Sequence, residues 1–570
     1  MELVVFCGLM IAVFLYVMIR GSVEAKQAKV RYRKYLKESY TERFREEDVS
    51  EEELELIKKR FLYMSQDDVI IDDITWNDLD MDRVFGLMNR TQSAIGAEAL
   101  YDMLRRPKQS VADFAGFEKN VEYLMEQEDE RVNLQMALSN LRRNGRYSLY
   151  DYIDYLERLG KRSNIVHVIQ LLLFVVSIGL IFVDSTVGVM ALILVACVNI
   201  GTYLSHKGKV APYVSTFSYI MKMLECADAI LQQPLSGMPE YREILLRDRE
   251  AFRDFKKGSS MVFKMNNAGA GDPGEVIFDY VKMLTHIDLI QFNKMLNKTL
   301  ECKAEILELA KQIGYLDALI AIGSFRASLP CYAVPVLLED KDVNITIVEG
   351  YHPMLREPVV NSFSQKRGMV ITGSNASGKS TFLKMVAINA ILAQTIHTCA
   401  AKEYEAAMFR IMSSMALRDS LDSGESYYMV EIKALKRIMD AAECDGNPIL
   451  CFVDEVLRGT NTVERIAAST QILAKLSTSG VCCFAATHDI ELTHLLEKDY
   501  DNYHFEEEVR DGDVLFSYCL HTGRAQTRNA IRLLQIIGFS EDIIHEAEMM
   551  AADFTKTSVW SRKGNERYVC

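Results

Sequence analysis

Three unbroken apolar runs stand out from an otherwise mixed chain, at residues 3–19, 165–183 and 187–204. They hold 17, 19 and 18 residues, close to the roughly 20 that a helix needs to cross hydrocarbon. Asp184, Ser185 and Thr186 separate the last two, a polar turn suited to a helical hairpin. Arg20, Lys26, Lys29, Arg31, Arg33 and Lys34 follow the first run; Lys161 and Arg162 precede the second; Lys207 and Lys209 follow the third. Positive charge marks the cytoplasmic side, so the three runs agree on one topology. The N-terminus is outside, the hairpin goes out and back, and the rest of the chain is cytoplasmic, on a multi-pass protein of the cell membrane. A signal peptide carries its basic residues ahead of the apolar core, whereas here they come after it. A buried soluble helix pair is the other use for the hairpin runs.

Elsewhere the pattern changes character along the chain. Residues 21–81 are charged and helical in period, with an acidic block from Glu51 to Glu55. Helical periodicity continues to about Ser328. Prolines and β-branched residues cluster at 330–344 and mark a boundary. From Ile345 onward strand and helix patterns alternate, as in an α/β domain. The expected domains are a transmembrane helix at 1–20, a charged cytoplasmic linker at 21–81, and a helical core at 82–330 interrupted by a membrane hairpin at 165–204. An α/β domain at 335–555 and a polar tail at 556–570 follow.

The 570 residues carry a formal net charge of −14. Nucleic-acid binders are usually basic, so any contact with DNA requires a local patch. Twelve cysteines are scattered without a CxxC pair, which fits buried thiols in a reducing compartment.

Three motifs in the α/β region carry chemistry. In the first, an apolar strand from Met369 leads into Gly373-Ser374-Asn375-Ala376-Ser377-Gly378-Lys379-Ser380-Thr381, and a helix follows. This strand, glycine loop and helix read as a phosphate-binding (P-loop) site for ATP. Glycines let backbone N–H groups turn inward around a phosphate, and the helix N-terminus adds its positive dipole end. Lys379 reaches the β- and γ-phosphates and Ser380 holds Mg²⁺. In the second, a buried strand from Ile449 ends in Asp454 and Glu455. Asp454 supports the metal, and Glu455 orients or deprotonates the attacking water. The third strand, from Val481, ends in Thr487-His488-Asp489, and His488 there is placed to contact the γ-phosphate. A literal GxGxxG at Gly269 to Gly274 is set aside. Its surroundings are helical, Pro273 lies inside it, and a dinucleotide fingerprint must follow a strand.

The stretches TGSNASGKST, DSGESYYMVE, FVDEVLRGTNT and FAATHDIEL, in that order, resemble the ATPase motifs of the MutS family. RVFGLMNRTQSAIG, beginning at Arg83, resembles the start of the family's helical core, and HTGRAQTRNAIRLLQIIGFSEDIIHEA, beginning at His521, resembles its closing helices. The resemblance implies an ABC-like α/β P-loop ATPase domain preceded by a mostly helical core or lever domain. It implies that Asn375 touches phosphate. It makes Ser426 the serine that completes a partner subunit's nucleotide site, hence a homodimer through the ATPase domain. Tyr351-His352-Pro353 resembles an element near the adenine. Three positions depart from the family pattern: Ser374 stands for a usual Pro, Glu425 for a usually basic residue, and Leu457 for the first Gly of G-R-G-T. No N-terminal mismatch-reading domain is visible. ATP hydrolysis therefore transfers well and mismatch recognition poorly.

The function expected is a MutS-like ATPase at the membrane whose ATP hydrolysis is coupled to binding mismatched or branched DNA, as in mismatch repair. Arg105, Arg106, Lys108, Arg142, Arg143 and Arg146 are candidate phosphate contacts. The alternative is a membrane ABC-type ATPase motor, or a nucleotide-gated scaffold, that does not act on DNA.

Overall fold

The computed structural model describes residues 2–42, 50–64, 69–141, 148–210, 213–253, 273–339, 342–374, 377–415, 427–458, 460–477, 480–510, 513–525, 530–557, 559–560 and 568–569. The N-terminal half is helical and the C-terminal half is mixed α/β. The chain divides into two compact units.

The first unit comprises residues 1–67, 86–103 and 116–328, and its described residues form helices without a strand. Its central helix, Lys303–Ser328, is buried around its whole circumference from Leu316 to Arg326, the mark of a helix enclosed by others. Asp317 on this helix is fully buried. Its carboxyl accepts the N–H groups of Gln92 and Ser93 at 2.9 and 2.8 Å and the Ser93 hydroxyl at 2.6 Å. Those donors lie just ahead of helix Ala94–Arg105, where free N–H groups favour an anion. The RVFGLMNRTQSAIG run therefore has a physical reason. A Cβ at Gly96 would stand 2.1 Å from Asp317 Oδ2, so only glycine lets the carboxyl approach.

The hairpin runs form helices Ile165–Ile181 and Ser185–Val210. Asp184 accepts from the N–H groups of Thr186 and Val187 at 2.9 and 3.1 Å, so the polar turn caps the second helix. Among the described helices, Ser185–Val210 is long and apolar enough to cross a membrane, and Ile165–Ile181 is apolar but has 17 residues. Both present large apolar side chains outward, among them Ile165, Leu172, Met190 and Leu194. The first apolar run lies within a 37-residue helix, Glu2–Glu38.

The second unit holds residues 68–85, 104–115 and 329–570. The first two of these segments were expected in the linker and the helical core. Polar contacts hold them here instead: Asp78 accepts the Ser413 hydroxyl at 2.6 Å and the Met415 N–H at 2.9 Å, Arg437 pairs with Asp72, and Lys384 pairs with Asp80 at 2.5 Å. Arg105, a candidate DNA contact, is buried in this unit. It donates to Ile71 O at 2.7 Å, pairs with Asp73 and stacks 4.5 Å over Trp76. Its charge is consumed inside the fold, which removes it from any phosphate-binding face. Arg142, Arg143 and Arg146 lie outside the described residues.

Strands β1 (Val336–Leu338), β2 (Ile345–Gly350), β3 (Asn361–Gln365), β4 (Met369–Thr372), β5 (Glu403–Ala407), β6 (Arg410–Ser414), β7 (Ile449–Asp454), β8 (Val481–Ala486), β9 (Asp501–Arg510) and β10 (Asp513–Thr522) build two sheets. The smaller has the order β1-β5-β2-β3 and the larger β10-β9-β4-β8-β7-β6. In the larger sheet every pairing is parallel except β9 with β10. Strands β4 and β8 are buried at every residue and β7 at all but its last, as expected of central parallel strands covered on both faces. Their carboxyl ends therefore open at one edge, with β8 between β4 and β7.

Candidate nucleotide site

Motif residues meet at that edge. Gly378 caps helix Lys379–Ile396 with φ 104°, and Gly373 has φ 150°, values that side-chain-bearing residues rarely adopt. A Cβ on Gly378 would lie 3.0 Å from the Tyr518 ring. Lys379 is 5% exposed and folds back over the loop, its ammonium donating to Gly373 O and Ser374 O at 2.8 Å each. Burial lowers its pKa, opposed by the charges of Asp454 and Glu455. Ser377 is buried, and its hydroxyl has no partner among the described residues. Ser380 donates to Asp454 at 2.5 Å. Burial raises the Asp454 pKa, opposed by that bond. Thr381 is exposed in the first helical turn. Asn375, Ala376 and Ser426 lie outside the described residues.

Glu455 N–H donates to Ala486 O at 2.9 Å, which pins the end of β7 to the end of β8. The Glu455 carboxyl is held from both sides, by His488 Nε2 at 2.5 Å and by Arg458 Nε at 2.7 Å. Arg465 fixes Asp489 through contacts at 2.9 and 2.7 Å, steadying the segment that carries His488. The structure thus brings Gly373, Ser374, Lys379, Ser380, Asp454, Glu455 and His488 to one edge.

Four neighbours were not read from the pattern. Ser374, where the family has Pro, donates to Glu507 on β9. Tyr518 reaches Gly378 from an irregular stretch of β10, where Asn361 holds Tyr518 O at 3.1 Å and Leu520 N at 2.7 Å. Arg458 holds Glu455 as above. Glu431 sits inside the quoted SYYMVE run, and its carboxyl accepts the Leu457 N–H. Arg458 lies only three residues past Glu455, but Glu507, Tyr518 and Glu431 come from other strands or helices, where no local spacing signals them. Tyr351 is buried with its hydroxyl on Cys331 O at 2.5 Å, a structural role. Burial and the Lys384 charge lower His352 to about 4, so it is neutral at pH 7.

Among the described residues no three His, Cys, Asp or Glu side chains are grouped to hold a metal. A pair of hard oxygen donors, Ser380 and Asp454, fits a cation that keeps most of its shell for water and phosphate. That habit is characteristic of Mg²⁺.

Comparison with known proteins gives these features a family. Residues 369–555 match the model of MutS domain V. A DNA mismatch repair protein MutS of Thermotoga neapolitana is 30% identical over 289 residues, 47% of this chain and 35% of the relative. One from Leptospira interrogans is 29% identical over 290 residues, 49% of this chain and 34% of the relative. MutS protein homolog 4 of Mus musculus is 27% identical over 306 residues, 50% of this chain and 31% of the relative. The chain spans about a third of the length of these curated relatives. It carries a MutS domain V and is related to the MutS family over about half of its own length.

Proposed function

We propose that the C-terminal unit is a Mg²⁺-dependent ATP hydrolase of the P-loop, ABC-like kind. The convergence of Lys379, the Ser380–Asp454 pair and the Glu455–His488 pair at one sheet edge carries this reading. Loop N–H groups and Lys379 grip the phosphates. Glu455 orients the attacking water and accepts its proton, and His488 stands beside the γ-phosphate. Mg²⁺, held by Ser380 and Asp454, would neutralise charge developing on the phosphate oxygens. A second copy completes the site through Ser426, so the working form is a homodimer.

By likeness to relatives named as DNA mismatch repair proteins, hydrolysis is coupled to DNA, mismatched or branched. The outward apolar faces of Ile165–Ile181 and Ser185–Val210 support a membrane anchor, with the hydrolase on the cytoplasmic side. Purified in nanodiscs, the protein is expected to hydrolyse ATP. Glu455→Gln should trap bound ATP, and unimpaired turnover in that variant rejects the site. Homoduplex, mismatched and branched DNA are then compared for stimulation across a salt series. Steeply salt-dependent stimulation supports DNA as the ligand. Stimulation by lipid or solute instead supports the ABC-type motor.

A further inference from the structure

The turn that follows Glu455 is conformationally costly. Glu455 has φ 59° and Leu457 φ 57°, the left-handed region that disfavours any residue with a Cβ. Leu457 stands where the family pattern has glycine, and it is 4% exposed, so its side chain cannot swing out to relieve the turn. Something must hold this backbone. At the front, Glu455 N–H donates to Ala486 O at 2.9 Å. In the middle, the Ser469 hydroxyl donates to Val456 O at 3.2 Å. At the back, the Leu457 N–H donates to the carboxyl of Glu431, on helix Tyr427–Ala442.

We propose that Glu431 is a positioning residue for hydrolysis, clamping the strained turn so that Glu455, and the Arg458 that steadies it, face the reacting water. This rests on the hydrolase reading above. Glu431 touches no reacting atom in that scheme; it acts through the backbone from which Arg458 returns to Glu455 at 2.7 Å.

Glu431 is a poor choice for stability alone. It is 9% exposed, and its Oε2 has no partner among the described residues. Burial raises its pKa, opposed by the backbone N–H groups of Leu457 and Arg458 and reinforced by the nearby Glu455 charge. An unmatched buried carboxyl oxygen is destabilising, and an apolar side chain of similar volume is often neutral or better. A group that costs stability while fixing the Leu457 N–H, two residues from the hydrolytic carboxylate, is explained by orientation.

The test separates positioning from packing. Glu431→Met keeps the volume and removes both acceptors. The expected kcat for ATP falls about tenfold to a hundredfold, the loss typical of a misplaced group, with KM within about threefold and an unchanged or higher melting temperature. Glu431→Gln keeps one acceptor and should retain turnover within about threefold. In a Leu457→Gly background, where the turn no longer strains a Cβ, Glu431→Met should cost less than about threefold relative to Leu457→Gly alone. Hydrogen exchange at the Leu457 amide reads the clamp without catalysis. It should be slow in the unaltered protein and fast in Glu431→Met. Full turnover in Glu431→Met, parallel loss of kcat and stability, or an undiminished effect in the glycine background overturns the clamp and leaves the hydrolase standing. An unaltered protein without ATP turnover overturns the hydrolase reading, and the positioning role with it.

Discussion

Helices Ala94–Arg105 and Lys379–Ile396 both begin beside a glycine that a neighbour or a backbone angle requires, and they differ in what meets their first N–H groups. At the first, the chain supplies its own anion, the buried Asp317 carboxyl. At the second, the cap is Gly378, with no side chain to offer, and a lysine and a hydroxyl stand where the first has a carboxyl. The same dipole and the same unpaired donors serve both. When the fold fills the position, the result is a structural cap. Leaving it to cations and glycine N–H groups is, on the reading proposed above, what makes a site for a phosphate from outside.

Exchange of effects between the two helices would break this comparison. The largest effect is expected from Lys379→Ala. Turnover of ATP should fall at least about a hundredfold, near 3 kcal/mol of transition-state stabilisation, with the melting temperature within about 2 °C of the unaltered protein. Next comes Asp317→Ala, which strands three donors at once, the two of Ser93 buried and that of Gln92 half-buried. It should cost about 2–4 kcal/mol in thermal unfolding followed by circular dichroism and leave KM for ATP unchanged. A Lys379→Ala protein that unfolds early, or an Asp317→Ala protein that loses ATP affinity with stability intact, would contradict the assignment.

The second helix start was legible in the sequence and the first only as a resemblance. A phosphate loop must place glycines, lysine and serine at fixed intervals on one short segment, so its chemistry is local. Strands β4, β7 and β8 were legible for a related reason: burial on both faces writes an unbroken apolar run, and Asp454 and His488 follow where such runs stop. Asp317 lies 225 residues from Gln92, and no periodicity links them. Arg105 shows the converse failure. Grouped with neighbouring basic residues it was a candidate phosphate contact, but Trp76, Asp73 and Ile71 O, some 30 residues earlier in the chain, turn it inward. Far longer separations, 304 to 365 residues, hid the membership of 68–85 in the C-terminal unit, because Asp72, Asp78 and Asp80 find their partners beyond residue 380.

Smaller effects sharpen the comparison at the first helix. Gly96→Ala drives a methyl into Asp317, which cannot retreat without releasing its donors, so about 1–3 kcal/mol of stability should be lost. Combined with Asp317→Ala, the two losses should sum to less than their separate values, because the variants remove one shared contact. Additive losses would mean that the close approach of Gly96 and the capping by Asp317 are independent.

The same helix offers the gentlest probe, since Glu98 is buried in its second turn and burial raises that carboxyl to about 8 against a Ser148 hydrogen bond and the Arg60 charge. An acid whose folded pKa is raised holds its proton more tightly in the folded chain than in the unfolded one. Its contribution to stability is therefore full below about pH 4.5 and is lost as pH rises toward 8. The slope can reach about 1.4 kcal/mol per pH unit, read as a melting temperature that declines between pH 5 and 8 and then levels. Glu98→Gln should flatten that decline while leaving the effect of Asp317→Ala in place, because the cap and the buried acid act on different turns of the helix. A decline that persists in Glu98→Gln would place the titrating group elsewhere.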